Sequence, residues 1–214
     1  MERVIRTTEY GLCVFSLEMM KGFLKKEKIR SKKLLALFQK DKKKYIGLIK
    51  EGIWVPFPGI DSTRYDIRIK NLGENFDDEW EEVLEYGGFN IETKGGVWVS
   101  SIGSFLEFDE NCFQGEGREY RDKYNFLSYD SAKERWYKTY DGNVLYTDFW
   151  YDIPDGKYLL NVKGYAKKTF DEGLVANCGF QYEFIKVDQF TDCKNPREDT
   201  YDFNVGGIVR ARKK

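Results

Sequence analysis

The sequence predicts a mostly β protein: an antiparallel β-sandwich with one short helix, preceded by a small α-helical N-terminal region. Three observations lead there. Aromatic residues make up 17% of the 214 residues, and aromatic and β-branched side chains suit a pleated, half-buried surface. Short alternating segments recur at regular spacing, each closed by a glycine-, asparagine- or proline-bearing turn. The stretch from Tyr146 to Ala166 shows both features around Pro154-Asp155-Gly156. Proline pre-sets φ for a turn and glycine accepts φ > 0, so a central hairpin is expected there. After that turn, Tyr158, Leu160, Val162 and Gly164 share one face and Leu159, Asn161, Lys163 and Tyr165 the other.

The chain divides by composition into residues 1–58, a basic helical region, residues 59–206, an acidic β-sandwich domain, and residues 207–214, a basic tail. Residues 1–58 hold 14 Lys+Arg against 6 Asp+Glu, a net of +8; the remainder holds 21 against 30, a net of −9. Tyr10 to Leu17 is a short apolar run that reads as a strand or a helix start. Ser16 then precedes an apolar set at Leu17, Met20, Phe23 and Leu24 at helical spacing. Ser31 opens a second helix with Leu34, Leu35, Leu37 and Phe38, and Asp41 is placed to cap a third that ends at Gly52. The two prolines of Ile53 to Gly59 forbid a helix and predict an extended bridge.

In the body, Tyr65 to Lys70 alternates as a strand. Phe76 to Tyr86 is the expected helix, with Phe76, Trp80, Val83 and Leu84 on one face and Gly87-Gly88 at its end. Phe89–Thr93 and Val97–Ser101 are expected to pair across Lys94-Gly95-Gly96. Phe105 to Phe108 is a further strand candidate, and residues 109–123 read as an exposed loop. Glu134–Tyr140 and Val144–Tyr151 flank a turn at Asp141-Gly142-Asn143. Gly179 to Asp188 alternates, and Tyr201 to Val205 reads as a last short strand. The expected core is Ile67, Ile69, Trp80, Phe89, Ile91, Val97, Val99, Tyr158, Leu160, Val162, Phe180, Tyr182 and Phe184.

The chain has no histidine. That removes Ser-His-Asp and Cys-His catalysis and histidine-based metal sites. Cys13, Cys112, Cys178 and Cys193 lack the spacing of a metal clip or redox motif, so free thiols are expected. No catalytic or cofactor motif is found; no cofactor and no metal are expected. Neither an apolar run of membrane-spanning length nor a signal peptide is seen, which makes the cytoplasm the expected compartment. The lysines of residues 21–44 read as a solvated helical face, without the aromatic interleaving of a dedicated nucleic-acid surface.

Two surfaces are candidates. Asp77, Asp78, Glu79, Glu81, Glu82 and Glu85 form an acidic cluster, read either as a solvated face or as a docking surface for a basic partner such as a nuclease cleft. Trp136, Tyr140, Tyr146 and Trp150, with Tyr137 and Tyr151, exceed what one strand face buries and suggest an aromatic platform for sugar or protein. A carboxylate pair for glycoside hydrolysis is conceivable among Glu107, Asp109, Glu110, Asp148 and Asp152, with nothing in the sequence to fix a separation.

Phe76-Asp77-Asp78-Glu79-Trp80 leading to Tyr86-Gly87-Gly88-Phe89, then Val97-Trp98-Val99-Ser100, then Tyr151 to Tyr158, resembles the competence protein J family. The resemblance covers roughly residues 62–188, and residues 1–58 lie outside it. It implies a small β-sandwich inhibitor of a DNA-entry nuclease, related to bacterial immunity proteins, and it carries over no individual inhibitory residue. The expected function is therefore a non-enzymatic immunity or inhibitor protein that binds a cognate toxin. A sugar- or ligand-binding module is the alternative.

Overall fold

The computed structural model describes residues 3–173 and 175–212. The strands are β1 (Val4–Arg6), β2 (Gly11–Phe15), β3 (Trp54–Pro58), β4 (Arg64–Ile69), β5 (Trp80–Thr93), β6 (Val97–Ser101), β7 (Arg118–Arg121), β8 (Leu127–Asp130), β9 (Glu134–Lys138), β10 (Val144–Tyr151), β11 (Gly156–Lys167) and β12 (Cys178–Val187). The helices are α1 (Leu17–Lys26), α2 (Leu34–Lys40), α3 (Lys42–Lys50) and α4 (Val205–Arg212). All twelve strands belong to one sheet, in the order β3-β2-β6-β10-β1-β4-β12-β11-β5, with β7-β8-β9 branching from β10. The pairs β1–β10 and β4–β12 are parallel. The terminal strands β3 and β5 touch, with the Phe57 and Phe89 rings 6.1 Å apart, so the sheet curls into a nearly closed barrel. This replaces the expected antiparallel sandwich.

Two cores form because several strands are covered on both faces. Leu12, Val14, Val55, Phe57, Val97 and Val99 point into the barrel with Ile67, Phe89, Leu160, Phe180 and Tyr182. Their neighbours Cys13, Phe15, Trp54 and Trp98 point outward, under α1–α3 and the aromatic segment Phe105, Phe108 and Phe113. A strand buried on both faces reads as a continuous apolar run rather than an alternation. That is why Tyr10 to Leu17 was ambiguous in sequence and why Ile53 to Gly59 read as a mere bridge. Residues 1–58 are therefore not a separate helical region, since β1, β2 and β3 are integral to the sheet. The helices themselves lie close to where the sequence predicts them. The 207–214 tail, as far as Arg212, is helical within α4, whose Val205 and Val209 enter the barrel core.

Further expectations are corrected. Phe76 to Tyr86 is not a helix; β5 starts at Trp80 and pairs with β11 over nearly its whole length. Register shifts there place Leu84 opposite Gly164 and Glu82 opposite Tyr165, and Tyr86 opposite Val162 and Phe89 opposite Leu160. Each bulge inserts a residue, so the period of two is broken and Val83 and Leu84 both reach the core. That spacing imitates a helix. Gly87-Gly88 is the second bulge rather than a helix stop: Gly88 has φ +81°, and its N–H donates to Asn161 Oδ1 at 3.0 Å. Trp80, expected in the core, is only half-buried, against Phe76.

The hairpins expected at Lys94-Gly95-Gly96 and Pro154-Asp155-Gly156 are both corners. β5 pairs with β11 and β6 with β10, so the two connections lie side by side and their strands exchange partners. The corners bind each other: Gly95 N–H donates to Asp155 Oδ1 at 2.8 Å and Thr93 Oγ1 to the Pro154 carbonyl at 2.6 Å. Phe105 to Phe108 is not a strand; a 3-10 turn, Ile102–Phe105, lies there. Tyr201 to Val205 is not a strand: the Tyr201 ring lies against Tyr86 and Phe89 outside the sheet, and Val205 opens α4. Residues 109–123 are not all loop, since they include β7.

Asp41 caps α3 as the sequence predicts, accepting from Lys44 N at 3.1 Å, while Lys44 Nζ lies 2.9 Å from its other oxygen. The Lys44 side chain first, then the Lys44 backbone N–H, hold the Asp41 carboxyl below its ordinary value of 3.8. A carboxyl whose folded value is depressed stabilises the fold above its unfolded value, and that contribution is lost as pH falls through the folded one. Asp41→Ala is expected to melt lower than the wild type at pH 6, and the difference should shrink as pH falls below the ordinary aspartate range.

Candidate functional site

The strands β7, β8 and β9 form a meander outside the main path of the sheet. Cross-strand register places Asp130 of β8 and Asp148 of β10 on either side of Arg135 of β9. A bulge at Thr147 makes this happen: Tyr146 faces Trp136 and Asp148 faces Arg135, with Thr147 left over. Bulges re-aim side chains in this way. Arg135 Nε donates to Asp130 Oδ1 at 2.8 Å and Nη1 to Asp148 Oδ2 at 3.2 Å. Ser104 Oγ and Thr147 Oγ1 donate to Asp148 at 2.8 and 2.6 Å. The guanidinium lies 4.6 Å from the Phe113 ring centre.

The two carboxylates are shielded from water, Asp148 fully buried and Asp130 nearly so, while the Arg135 side chain is 17% exposed. Burial by itself would lower the Arg135 pKa, and Asp148 and Asp130 outweigh it, so it is raised and the charge is permanent. Asp130 Oδ2 has no hydrogen-bond partner. The Tyr120 hydroxyl and Cys112 thiol lie beside that carboxylate without the geometry of a full hydrogen bond. Burial first, then Asp130, pushes Tyr120 up to about 12. Burial pushes Cys112 up to about 11, which makes it a poor nucleophile. All four cysteines are free.

A hollow of about 230 Å³ opens above the Arg135 rung, bordered by Tyr120, Ser128, Tyr137 and Asp122. It adjoins a second cleft of about 480 Å³, with which it shares Ser104, Tyr120, Asp122 and Arg135. Among the described residues, no three His, Cys, Asp or Glu side chains come together as metal ligands.

The acidic cluster lies elsewhere, on the terminal strand β5 and the turn before it, and all six carboxylates are exposed. Glu82 and Glu85 pair with Lys163 at 2.9 and 3.4 Å, Glu81 with Arg212 at 2.7 Å, and Glu79 lies 4.0 Å from Lys167. Asp77 Oδ1 accepts from Glu79 N at 3.0 Å. Of the four aromatic candidates, Trp136 and Tyr146 are cross-strand neighbours, while Tyr140 and Trp150 lie apart from them. Trp136 stacks on Tyr129, centroids 5.2 Å apart, on the face away from Arg135. Tyr140 sits beside the β9–β10 turn, 81% exposed. Because of the Thr147 bulge, Tyr146 packs toward the barrel core and Trp150 toward the helical one, where Trp150 Nε1 donates to the Gly95 carbonyl. Of the other carboxylates, Glu107 pairs with Lys123 and Asp109 with Lys32, Glu110 and Asp152 are exposed, and Asp148 belongs to the Arg135 rung. The basic helices are likewise part-neutralised, by Lys26–Glu51 and Lys21–Glu18 pairs.

Sequence reasoning missed Asp130, Arg135 and Tyr120. The signal available was an arginine beside Trp136 and Tyr137 in β9, five residues from an aspartate across a short turn.

The fold and site define a barrel-like mixed-sheet protein with a helical cover and a buried Asp-Arg-Asp rung. No family model matches the chain, and no solved structure matches it. A UDP-2,4-diacetamido-2,4,6-trideoxy-beta-L-altropyranose hydrolase of Campylobacter jejuni is 42% identical over 52 residues, which are 22% of this chain and 19% of that protein. The chain thus spans about a fifth of the length of the relative it matches. None of the described helices is long and apolar enough to cross a membrane.

Proposed function

We propose that the chain is a non-enzymatic inhibitor of the immunity type, which binds a protein toxin with a basic surface, a nuclease being the example the acidic charge fits. The supporting observation is the placement of the acidic residues. The strand that ends the sheet carries Glu81, Glu82 and Glu85, and Asp77, Asp78 and Glu79 lead into it, all facing solvent. Their own ion pairs are exposed and weak, so a partner's lysines and arginines can displace Lys163 and Arg212. Complementary charge of this kind mainly accelerates association and suppresses wrong partners.

The test has two stages. Tagged chain is used to capture a stoichiometric basic protein from the source lysate, and binding rates are then measured. Asp77→Lys/Asp78→Lys, which breaks none of the ion pairs above, is expected to slow association about tenfold at low salt, with the gap closing as salt rises. An unchanged rate rejects the acidic edge as the docking surface. The competing reading is a hydrolase, favoured by the name of the short match. Turnover of a UDP-sugar by the intact chain would replace the inhibitor reading with that one.

A further inference from the structure

The structure assigns a second, separate binding site to the hollow over the Arg135 rung, and the geometry points to a neutral, hydroxyl-bearing ligand about the size of one sugar ring. It lies on the β7–β8–β9 branch, whereas β5 ends the main path on the far side of β1, β4, β12 and β11. It therefore goes beyond the inhibitor reading and does not depend on it.

The hollow exists because of one small residue. Cross-strand register places Ser128 between Tyr120 and Tyr137. Two large rings on either side of a hydroxymethyl group leave a slot whose walls are aromatic and whose base is polar. Tyrosine offers an apolar face and a polar tip, the combination a ring of C–H and O–H groups needs. The next rung along, Asp130–Arg135–Asp148, forms the base.

Donors and acceptors remain unspent at this base. Arg135 uses Nε and Nη1 on its two carboxylates, and its Nη2 makes no hydrogen bond among the described residues. Held from both sides, the guanidinium is fixed before any ligand arrives, so little ordering is lost on binding. The Tyr137 hydroxyl has no hydrogen-bond partner among the described residues. Asp122 accepts from Tyr124 N and Phe126 N through Oδ1 alone, leaving Oδ2. A hydroxyl donates to Asp122 and accepts from Arg135 or Tyr137, so adjacent hydroxyls satisfy both kinds of group.

Charge selects among ligands. Arg135 is the one cation lining the hollow, against Asp122 and Asp130, with Asp148 buried behind it. A phosphate or carboxylate would meet a net negative site with its single guanidinium already doubly paired, and like-charge repulsion disfavours it. The volume of about 230 Å³ lies below the range of about 300–1,000 Å³ for sites that enclose drug-sized ligands, which suits one ring.

Saturation-transfer NMR on the intact chain tests this, with D-glucose, D-galactose, D-mannose, N-acetylglucosamine and myo-inositol as probes and UDP-N-acetylglucosamine and inorganic phosphate as anionic counterparts. Transfer to at least one neutral probe is expected. Tyr137→Ala should weaken its binding roughly tenfold, Tyr137→Phe should weaken it less, and Ser128→Val should close the slot. Melting curves confirm that each variant folds, and Tyr137→Phe serves if Tyr137→Ala does not. Asp77→Lys/Asp78→Lys should leave sugar binding unchanged, which separates this site from the acidic edge. No transfer to any neutral probe overturns the assignment. So does transfer to the anionic probes alone, or transfer that persists in both Tyr137→Ala and Ser128→Val.

Discussion

Replacing Arg135 with methionine is expected to lower the unfolding free energy by about 3–5 kcal/mol. The guanidinium is the shared partner of two carboxylates that have almost no access to water. Removing it strands both charges in a medium that solvates them poorly, and that desolvation cost, rather than the strength of two ion pairs, sets the size of the effect. The same desolvation cost sets a second outcome. Adding Asp130→Asn and Asp148→Asn to Arg135→Met discharges the stranded groups, so the triple variant should recover a large part of the loss even though it has fewer interactions than the wild type. Urea unfolding of the single and triple variants provides the comparison. A loss below about 1 kcal/mol for Arg135→Met, the range of an exposed pair, would show that water reaches the rung. A triple variant less stable than Arg135→Met would show that the hydrogen bonds from Ser104 and Thr147, not the charges, dominate.

Trp54→Ala is expected to cost about 3–5 kcal/mol, the range for truncating a buried large aromatic side chain. In a chain of this length that lowers the melting temperature by about 10 °C. Trp54 is completely buried, and its ring joins three separate elements. It lies 5.6 Å from Phe38 of α2, 6.1 Å from Tyr45 of α3 and 5.3 Å from Phe105 of the 3-10 turn, with the Arg197 guanidinium 5.3 Å away. Three elements cannot all collapse onto one vacancy, so the cavity persists and the cost is high for the volume removed. Trp54→Phe should retain most of the stability. Tyr140→Ala, at an exposed position, should change the melting temperature little, and comparable shifts for Tyr140 and Trp54 would contradict the described packing.

What could be read in sequence followed from local periodicity. The alternation after Gly156 gave the faces of β11 correctly because its partners on both sides impose one in–out pattern. Asp41 was legible because a cap is a contact between residues three apart. Of the expected core, Trp80 alone is not buried. The errors share one cause, that pairing partners are chosen over long distances. Bulges in the β5–β11 ladder moved Val83 and Leu84 to the same side, and the helical spacing of Phe76 to Leu84 is their by-product. Lys94-Gly95-Gly96 and Pro154-Asp155-Gly156 have correct turn chemistry, yet turn residues do not say whether the strands they join will pair with each other. The candidate site was hidden for the same reason. Asp148 meets Arg135 only because Thr147 is skipped in the ladder, and no spacing rule applied to Val144–Tyr151 reveals which residue is left out. The acidic cluster was visible as composition, but its ion pairs with Lys163 and Arg212 depend on β11 and α4 and could not be seen.

The exchange of partners at the two corners bears on how the molecule is made. Synthesis proceeds from the N-terminus, and by the time Lys138 has been added both β5 and β6 exist. The strand that flanks β5 and the one that joins β6 to β1 do not; they are β11 and β10, still to come. Fourteen residues of β5 must wait, with an apolar side and two unpaired edges, for a segment more than sixty residues downstream. Such late, distant pairing makes for slow folding and a long interval in which the nascent chain is exposed to association with other chains. The carboxylates on β5 keep that waiting strand charged, and charge is a common way for an unpaired strand to resist joining a neighbour.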